Sequence, residues 1–536
     1  MTEGAFRRTV FLAGLLLAGG KSPAQETPLG RPNILVIVAD DMGFSDAGCY
    51  GGEIATPNLD RLAAGGLRFT DFYNTGRCWP TRSSLLTGYY AQQIRMDPPR
   101  GRLPSWARPL PHHLKPLGYR CYHSGKWHVP GAPRVLADGG FDRSYKVDDH
   151  DRYFHPRAHT EDDRKKPPVE PGSGFYLTTA IADHALACLK DHAERHAAAP
   201  FFLYLAFTAP HFPLHAPPED VARYRDRYLE GWDAVREKRW KRMREMGLVD
   251  CALPAREPGR VPSWNLKPET LAEKVGPAEV ARAVAWEDLT PEQRRFQAAK
   301  MAVHAAMIDR MDREIGRVLE QVRAMGAWDR TVIFFLSDNG ASAEQIVRGD
   351  GHDRSAEPGS AATFLCLGPG WSTAANTPFR LHKSWTHEGG VATPLVVHWP
   401  GGIAARGELR RDPGHVIDFF PTILELAGGR PEAEDPGAPR RPGRSLVPAF
   451  ARDGSVCREW IFFHHLDNRA LRCGNWKVVS DGPERWELYD LSADRCEQKD
   501  LAARHPDRVR EMAALWERLE ARFREEAGPP GGDPAK

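Results

Sequence analysis

Beyond a short N-terminal segment the chain has no apolar run near the roughly 20 residues that cross a bilayer as a helix, so no membrane anchor is expected in the mature protein. Net charge is also scarce. Over 536 residues, 73 basic and 71 acidic side chains leave a formal charge of +2. That balance speaks against nucleic acid or a strongly acidic membrane surface as partner. Nine cysteines, at 49, 78, 121, 188, 251, 366, 457, 473 and 496, include no CxxC pair, which argues against a zinc site. Internal repeats are missing, and with them the solenoid architectures.

The hydrophobic share of 41% and charged share of 27% are those of a globular protein, long enough for one large domain and a smaller one. Arg7 and Arg8, the apolar run Val10 to Ala18 and small residues near Ser22 to Ala24 read as an export signal over 1–24, predicting a periplasmic or secreted protein.

Four segments read as buried strands of a mostly parallel sheet: Asn33 to Ala39, Gly118 to His123, Phe201 to Phe207 and Thr331 to Leu336, all but the second of them apolar runs. Each is followed by polar residues: Asp40 and Asp41, Lys126 and His128, His211, and Asp338 and Asn339. Parallel strands share one carboxyl edge, where α/β proteins bind ligands, so these side chains are expected to converge in a cleft. The oxygen donors Asp40, Asp41, Asp338 and Asn339 suit a hard cation, calcium before magnesium. No histidine joins that set in the sequence, which speaks against zinc.

Residues 78–88, CWPTRSSLLTG, read as the start of a helix: Pro80 fits the first turn, and Leu85 and Leu86 give later turns an apolar face. Cys78 then lies where free backbone N–H groups and the helix dipole favour an anion, with Arg82 one turn on. By itself a lone exported cysteine is more often half of a disulfide or an inert thiol.

The pattern Cys-x-Pro-x-Arg followed by Ser-x-Leu-Leu-Thr-Gly resembles the signature of the type I sulfatases. Gly125-Lys126-Trp127-His128 and the segment Thr377 to Gly390, which carries Lys383, are similar to further segments of that family, most closely its bacterial and planctomycete arylsulfatases. The resemblance implies an alkaline phosphatase-like α/β fold: a large mixed, mostly parallel sheet between helices, with a smaller C-terminal α+β domain. It implies that a formylglycine-generating enzyme converts Cys78 to Cα-formylglycine, whose hydrate attacks the sulfur of an aryl or carbohydrate sulfate ester. Cys78, Arg82, Lys126, His128, His211 and Lys383 are the implied catalytic residues, with Cys78 joining Asp40, Asp41, Asp338 and Asn339 around the metal. If Cys78 is consumed, eight cysteines remain, an even number whose pairing the spacing leaves open. Two alternatives stay open: a formylglycine hydrolase of phosphonate or phosphate esters, and an inactive relative that binds sulfated glycans.

Domain boundaries follow composition. A catalytic domain over 31–428 carries charged insertions at about 136–171 and 218–296, a proline- and glycine-rich linker follows, and an α+β subdomain covers 445–526 before a disordered tail at 527–536. His150, His155 and His159 read as members of a solvated loop, His387 as structural and the tryptophan-bearing second insertion as helical. A long amphipathic helix is predicted from Ala298 to Met325.

Overall fold

Strand β1 (Asn33–Ala39) is buried along its whole length, which is why every residue from Ile34 to Ala39 can be apolar. In the computed structural model, which describes residues 1, 30–97, 101–430, 437–482 and 485–528, it forms the middle of a ten-stranded sheet. The export signal and residues 529–536 lie outside the described residues. The other strands follow as β2 (Leu67–Phe69), β3 (Phe72–Tyr73), β4 (Arg120–Gly125), β5 (Arg143–Val147), β6 (His159–Glu161), β7 (Arg164–Lys165) and β8 (Phe201–Ala206). After them come β9 (Thr331–Ser337), β10 (Leu395–His398), β11 (Glu408–Arg410) and β12 (Gly414–His415). The sheet order is β11-β2-β10-β9-β1-β8-β4-β5-β6-β7. Its centre, β9-β1-β8-β4-β5, is parallel, whereas β10 and β6 run against their neighbours. A mixed, mostly parallel sheet between helices is therefore the architecture.

Apolar side chains alternate between the two faces. Leu35, Ile37 and Ala39 meet the helices Leu177–Arg195 and Pro291–Ala324, while Ile34, Val36 and Val38 pack with Leu85, Phe419 and Phe420. The second of those helices starts seven residues before the expected Ala298. Thr290 and Gln293 form a reciprocal capping box around Pro291, and only the later turns carry the buried stripe that periodicity detects. Strand β2 ends with Thr70 donating its N–H to Arg410 O of the edge strand β11 (2.9 Å), and, two residues on, β3 pairs with β12 outside the main sheet.

The first insertion is not a solvated loop. Its residues form β5, β6 and β7 and extend the main sheet, and His159 is buried against Tyr145 Oη (3.1 Å) and Pro167 O (2.7 Å). The second insertion holds the helices Pro218–Ala222, Gly231–Glu245 and Pro268–Lys274, joined by irregular chain. A second sheet, β13 (Ile461–His465), β14 (Asn468–Cys473), β15 (Trp476–Ser480) and β16 (Glu487–Asp490), is antiparallel and packs on the helix Pro506–Ala527. Ala527 closes that helix and is buried, against the expectation of disorder there.

Lys477 Nζ, buried on β15, holds both Glu388 and Glu497 at 2.8 Å and so ties the second sheet to the segment carrying Lys383, while a disulfide joins Cys251 of the second insertion to Cys496 after β16. His387 accordingly sits outside the cluster at the strand ends, 3.1 Å from Glu487.

Three buried imidazoles set an acid limit on the fold. Burial pushes His192, His215 and His382 down to about 4, against the carbonyl contacts that favour protonation of the first two and the Glu257 charge that favours it in the third. An unfolded chain takes up these protons near pH 6.5, whereas the folded chain resists until about pH 4. Their contribution is thus complete above pH 6.5 and lost as pH falls through about 4, on the order of 1–3 kcal/mol per ring. Urea unfolding at pH 7.5, 5.5 and 4.5 is expected to show midpoints falling in that order; equal midpoints would refute the assignment.

Candidate active site

The carboxyl ends of the five central strands deliver the polar side chains. From β1 come Asp40 and Asp41, from β9 Asp338 and Asn339, from β4 Lys126 and His128, and from the turn after β8 His211. The fifth strand, β5, delivers His150, whose side chain is only 20% exposed and whose ring lies 5.1 Å from His211 and 5.9 Å from His128. Two glycines make the crowding possible. A Cβ on Gly125 would lie 1.9 Å from Ala206 O, and one on Gly340 would lie 1.9 Å from Gly389 O. Asp41 and His128 occupy the left-handed region, with φ of 65° and 49°, an uncommon conformation that packed neighbours must hold in place.

The helix Cys78–Thr87 begins at the cysteine. Arg77 before it is extended and offers no side-chain cap, so the first-turn N–H groups remain available to an anion, while Gly88 closes the helix in the left-handed region. Arg82 is wholly buried: Nε and Nη2 each lie 2.8 Å from Asp338 Oδ2, and Nη1 donates to Lys126 O at 2.8 Å. Lys126 Nζ lies 2.5 Å from Asp40 Oδ2, and Lys383 Nζ 2.7 and 2.8 Å from the two oxygens of Asp41. Asn339 Nδ2 donates to Asp41 Oδ1 (2.6 Å), and Asp41 N–H to Asp338 Oδ1 (3.3 Å). His211 Nε2 is 3.8 Å from Asp41 Oδ2. Cys78 is 3% exposed.

Two oxygens in this cluster, Asp40 Oδ1 and Asn339 Oδ1, are buried without any hydrogen-bond partner. A buried acceptor left unpaired is costly, and a cation held by these oxygens would remove the penalty, so the donor set fits a hard metal ion. The expectation that no histidine approaches is corrected: Asp40, Asp41 and His211 each present an atom within 4.8 Å of the others, as do His150, Asp151 and His211.

A family model described as Sulfatase matches residues 32–429. The chain belongs to the sulfatase family. It is 33% identical to an uncharacterised sulfatase of Schizosaccharomyces pombe, across 91% of this chain and 93% of that protein. It is equally identical to an arylsulfatase of Klebsiella aerogenes, across 77% of this chain and 90% of that protein. Among solved structures, that of Ps i-CgsB superposes with a TM-score of 0.65 at 23% identity, covering 93% of this chain and 94% of that one. The protein is thus a sulfatase, an enzyme of sulfate ester hydrolysis.

In this sulfatase three buried carboxylates share one small volume, and their proton affinities diverge accordingly. Burial raises all three, but Lys126 and Arg82 outweigh it at Asp40 and hold that carboxyl below the usual range. At Asp338 burial and the Asp40 charge win, pushing it up to about 7 despite Arg82, and Asp41 is raised as well. The rings of His128 and His211 are held well below their ordinary value, first by burial and then by the neighbouring ammonium groups. Burial also drives the Cys78 thiol up, although Lys126 and Lys383 oppose it.

Several side chains around this cleft escaped the sequence reading. Glu344 lies 3.5 Å from Lys383 and 3.2 Å from Arg77, and is held near about 2 because those cations outweigh its burial. Arg77 also donates to Ser384 Oγ (2.6 Å) and lies over the Trp79 and Trp264 rings. Trp79, next to the cysteine, faces His128 and His465. Arg77 and Trp79 flank Cys78 and were visible by position; Glu344 could be found only through its tertiary partner. Among the described residues no helix is long and apolar enough to cross a membrane.

Proposed function

We propose that this sulfatase is an arylsulfatase-type hydrolase of aryl or carbohydrate sulfate esters, exported after removal of residues 1–24. On this reading a formylglycine-generating enzyme converts Cys78, and one calcium ion is held by Asp40, Asp41, Asp338, Asn339 and the converted residue 78. The observation that carries it is the convergence of two lysines and an arginine on a carboxylate cluster beside a cysteine at a helix N-terminus.

A hydrated aldehyde at position 78 supplies a nucleophilic hydroxyl and a second hydroxyl that a serine or thiol lacks. A bound calcium supplies Lewis-acid polarisation of sulfuryl oxygen. The side chains do the rest. Lys126 and Lys383 present ammonium groups to the sulfuryl oxygens, and Arg82 fixes the carboxylates behind them. His211 donates its Nδ1 proton to Phe212 O (2.5 Å), so Nε2 is the nitrogen that exchanges a proton with the departing alcohol oxygen. An anion entering the cleft raises its proton affinity, and Lys383 backs it as a donor. His128 is neutral with Nδ1 buried and unpaired, and accepts the proton whose loss expels sulfate.

Chelation followed by gel filtration is expected to lower sulfate release by at least about tenfold, with calcium restoring it better than magnesium. Unchanged turnover in metal-free protein would remove the metal from this scheme. Turnover of an aryl sulfate against the matching aryl phosphonate tests the reaction itself: sulfate is the preferred ester, and a preference for the phosphonate contradicts the proposal. Tight sulfated-glycan binding without turnover by converted protein would mark it as a binding relative.

A further inference from the structure

A cavity of about 820 Å³ opens beside the cleft, walled mainly by three parts of the chain that are far apart in sequence, with Asp481 completing the lining. Its walls come from Gly259 to Trp264 of the second insertion, from Ser384 and Trp385 directly after Lys383, and from Leu466 to Asn468 at the β13–β14 turn. That volume lies in the range of small-ligand sites. The walls join the cleft by direct contacts. Ser384 Oγ accepts from Arg77, the neighbour of Cys78, and the indole N–H of Trp264 donates to Glu344 (2.8 Å), which faces Lys383. The alcohol portion of a sulfate ester seated over the strand ends would have this cavity beside it on the Lys383 side.

The lining chemistry is specific. Trp264 is 39% exposed, Trp385 is partly exposed, and Asn468 Oδ1 is buried with no hydrogen-bond partner. Aromatic faces beside an unpaired amide oxygen and an exposed carboxylate match a ring with apolar C–H faces and hydroxyl donors at its edge. The charged lining residues are Arg260, Asp467 and Asp481; Arg260 is ion-paired to Asp481, and Asp467 makes no ion pair among the described residues. Among the described lining residues no uncompensated cation is left to receive a second sulfate or a carboxylate.

We propose that this cavity is the subsite for a neutral, hydroxyl-bearing sugar ring, and that the preferred ester is a monosulfated neutral saccharide. The proposal rests on the sulfate ester hydrolysis argued above but has its own readout. Calorimetric titration of the inactive Cys78→Ala protein with a monosulfated methyl hexoside, and with the same sugar carrying a second sulfate, measures binding without turnover. The monosulfated sugar is expected to bind at least about tenfold more tightly, because the second anion meets Asp467. Asn468→Ala and Trp385→Ala are each expected to weaken that binding and raise KM for the sugar sulfate about 3–10-fold, with kcat/KM for a small aryl sulfate within about twofold of wild type. Equal losses on both substrates, no change in either variant, or tighter binding of the disulfated sugar overturns the subsite. Variant-sensitive sugar binding without any turnover supports the subsite and counts against the hydrolytic mechanism instead. Aryl sulfate turnover without sugar binding does the reverse.

Discussion

Cys78→Ala is expected to reduce sulfate release by at least about three orders of magnitude while leaving the fold in place. The side chain is nearly fully buried, yet among the described residues no hydrogen bond or disulfide uses its sulfur, so truncation costs only a small void, on the order of 1 kcal/mol. Cys78→Ser is expected to be as inactive, because a serine has one hydroxyl and no aldehyde to regenerate. The two effects are read separately, by sulfate release and by urea unfolding. Activity in either variant near that of wild type would dismiss residue 78 as nucleophile.

Arg82→Leu is expected to lose both stability and activity. The guanidinium is the buried counter-charge of Asp338, 3.9 Å from Asp40, and it holds the Lys126 carbonyl. Removing one partner from such an arrangement costs about 3–5 kcal/mol, because the remaining charge is left uncompensated. Asp338 already has its carboxyl pushed up to about 7, and without Arg82 it rises further. Protonation then relieves part of the loss, so the variant is predicted to be less destabilised at pH 6 than at pH 8. Arg82→Lys is not expected to rescue it, since one ammonium cannot reach Asp338 and the Lys126 carbonyl together. Sulfate release should fall by about 100-fold or more as Lys126 and Asp338 shift. Wild-type urea midpoints in Arg82→Leu at both pH values would contradict this account of the cluster.

Much of this arrangement was legible before any coordinates. Runs such as Asn33 to Ala39 and Phe201 to Ala206 are apolar at consecutive positions, a pattern that fits a strand covered on both faces, and the residues after them had to meet at one edge. The helix start was equally open to reading, from Pro80 inside it to Gly88 beyond it. What stayed hidden depended on tertiary context. Strand β5 reads RSYKV, with Arg143 and Lys146 half-buried, so it lacks the apolar signature and took His150 with it into an apparent loop. Strand β4 begins two residues late because the turn Lys115–Leu117 ends at Gly118, which is in the left-handed region. The Cys251–Cys496 pairing spans 245 positions, and no local spacing announces it. Glu344 gains its place only when Lys383 and Arg77 are folded against it.

The proposed catalysis turns above all on the chemical state of residue 78 and on what that state does. Mass spectrometry of the peptide containing this residue, on preparations converted to different extents and assayed with an aryl sulfate, measures both together. Specific activity is predicted to rise in proportion to the fraction carrying an aldehyde in place of the thiol. Full sulfate release from protein whose Cys78 is still a thiol, or none from protein in which conversion is complete, would contradict it.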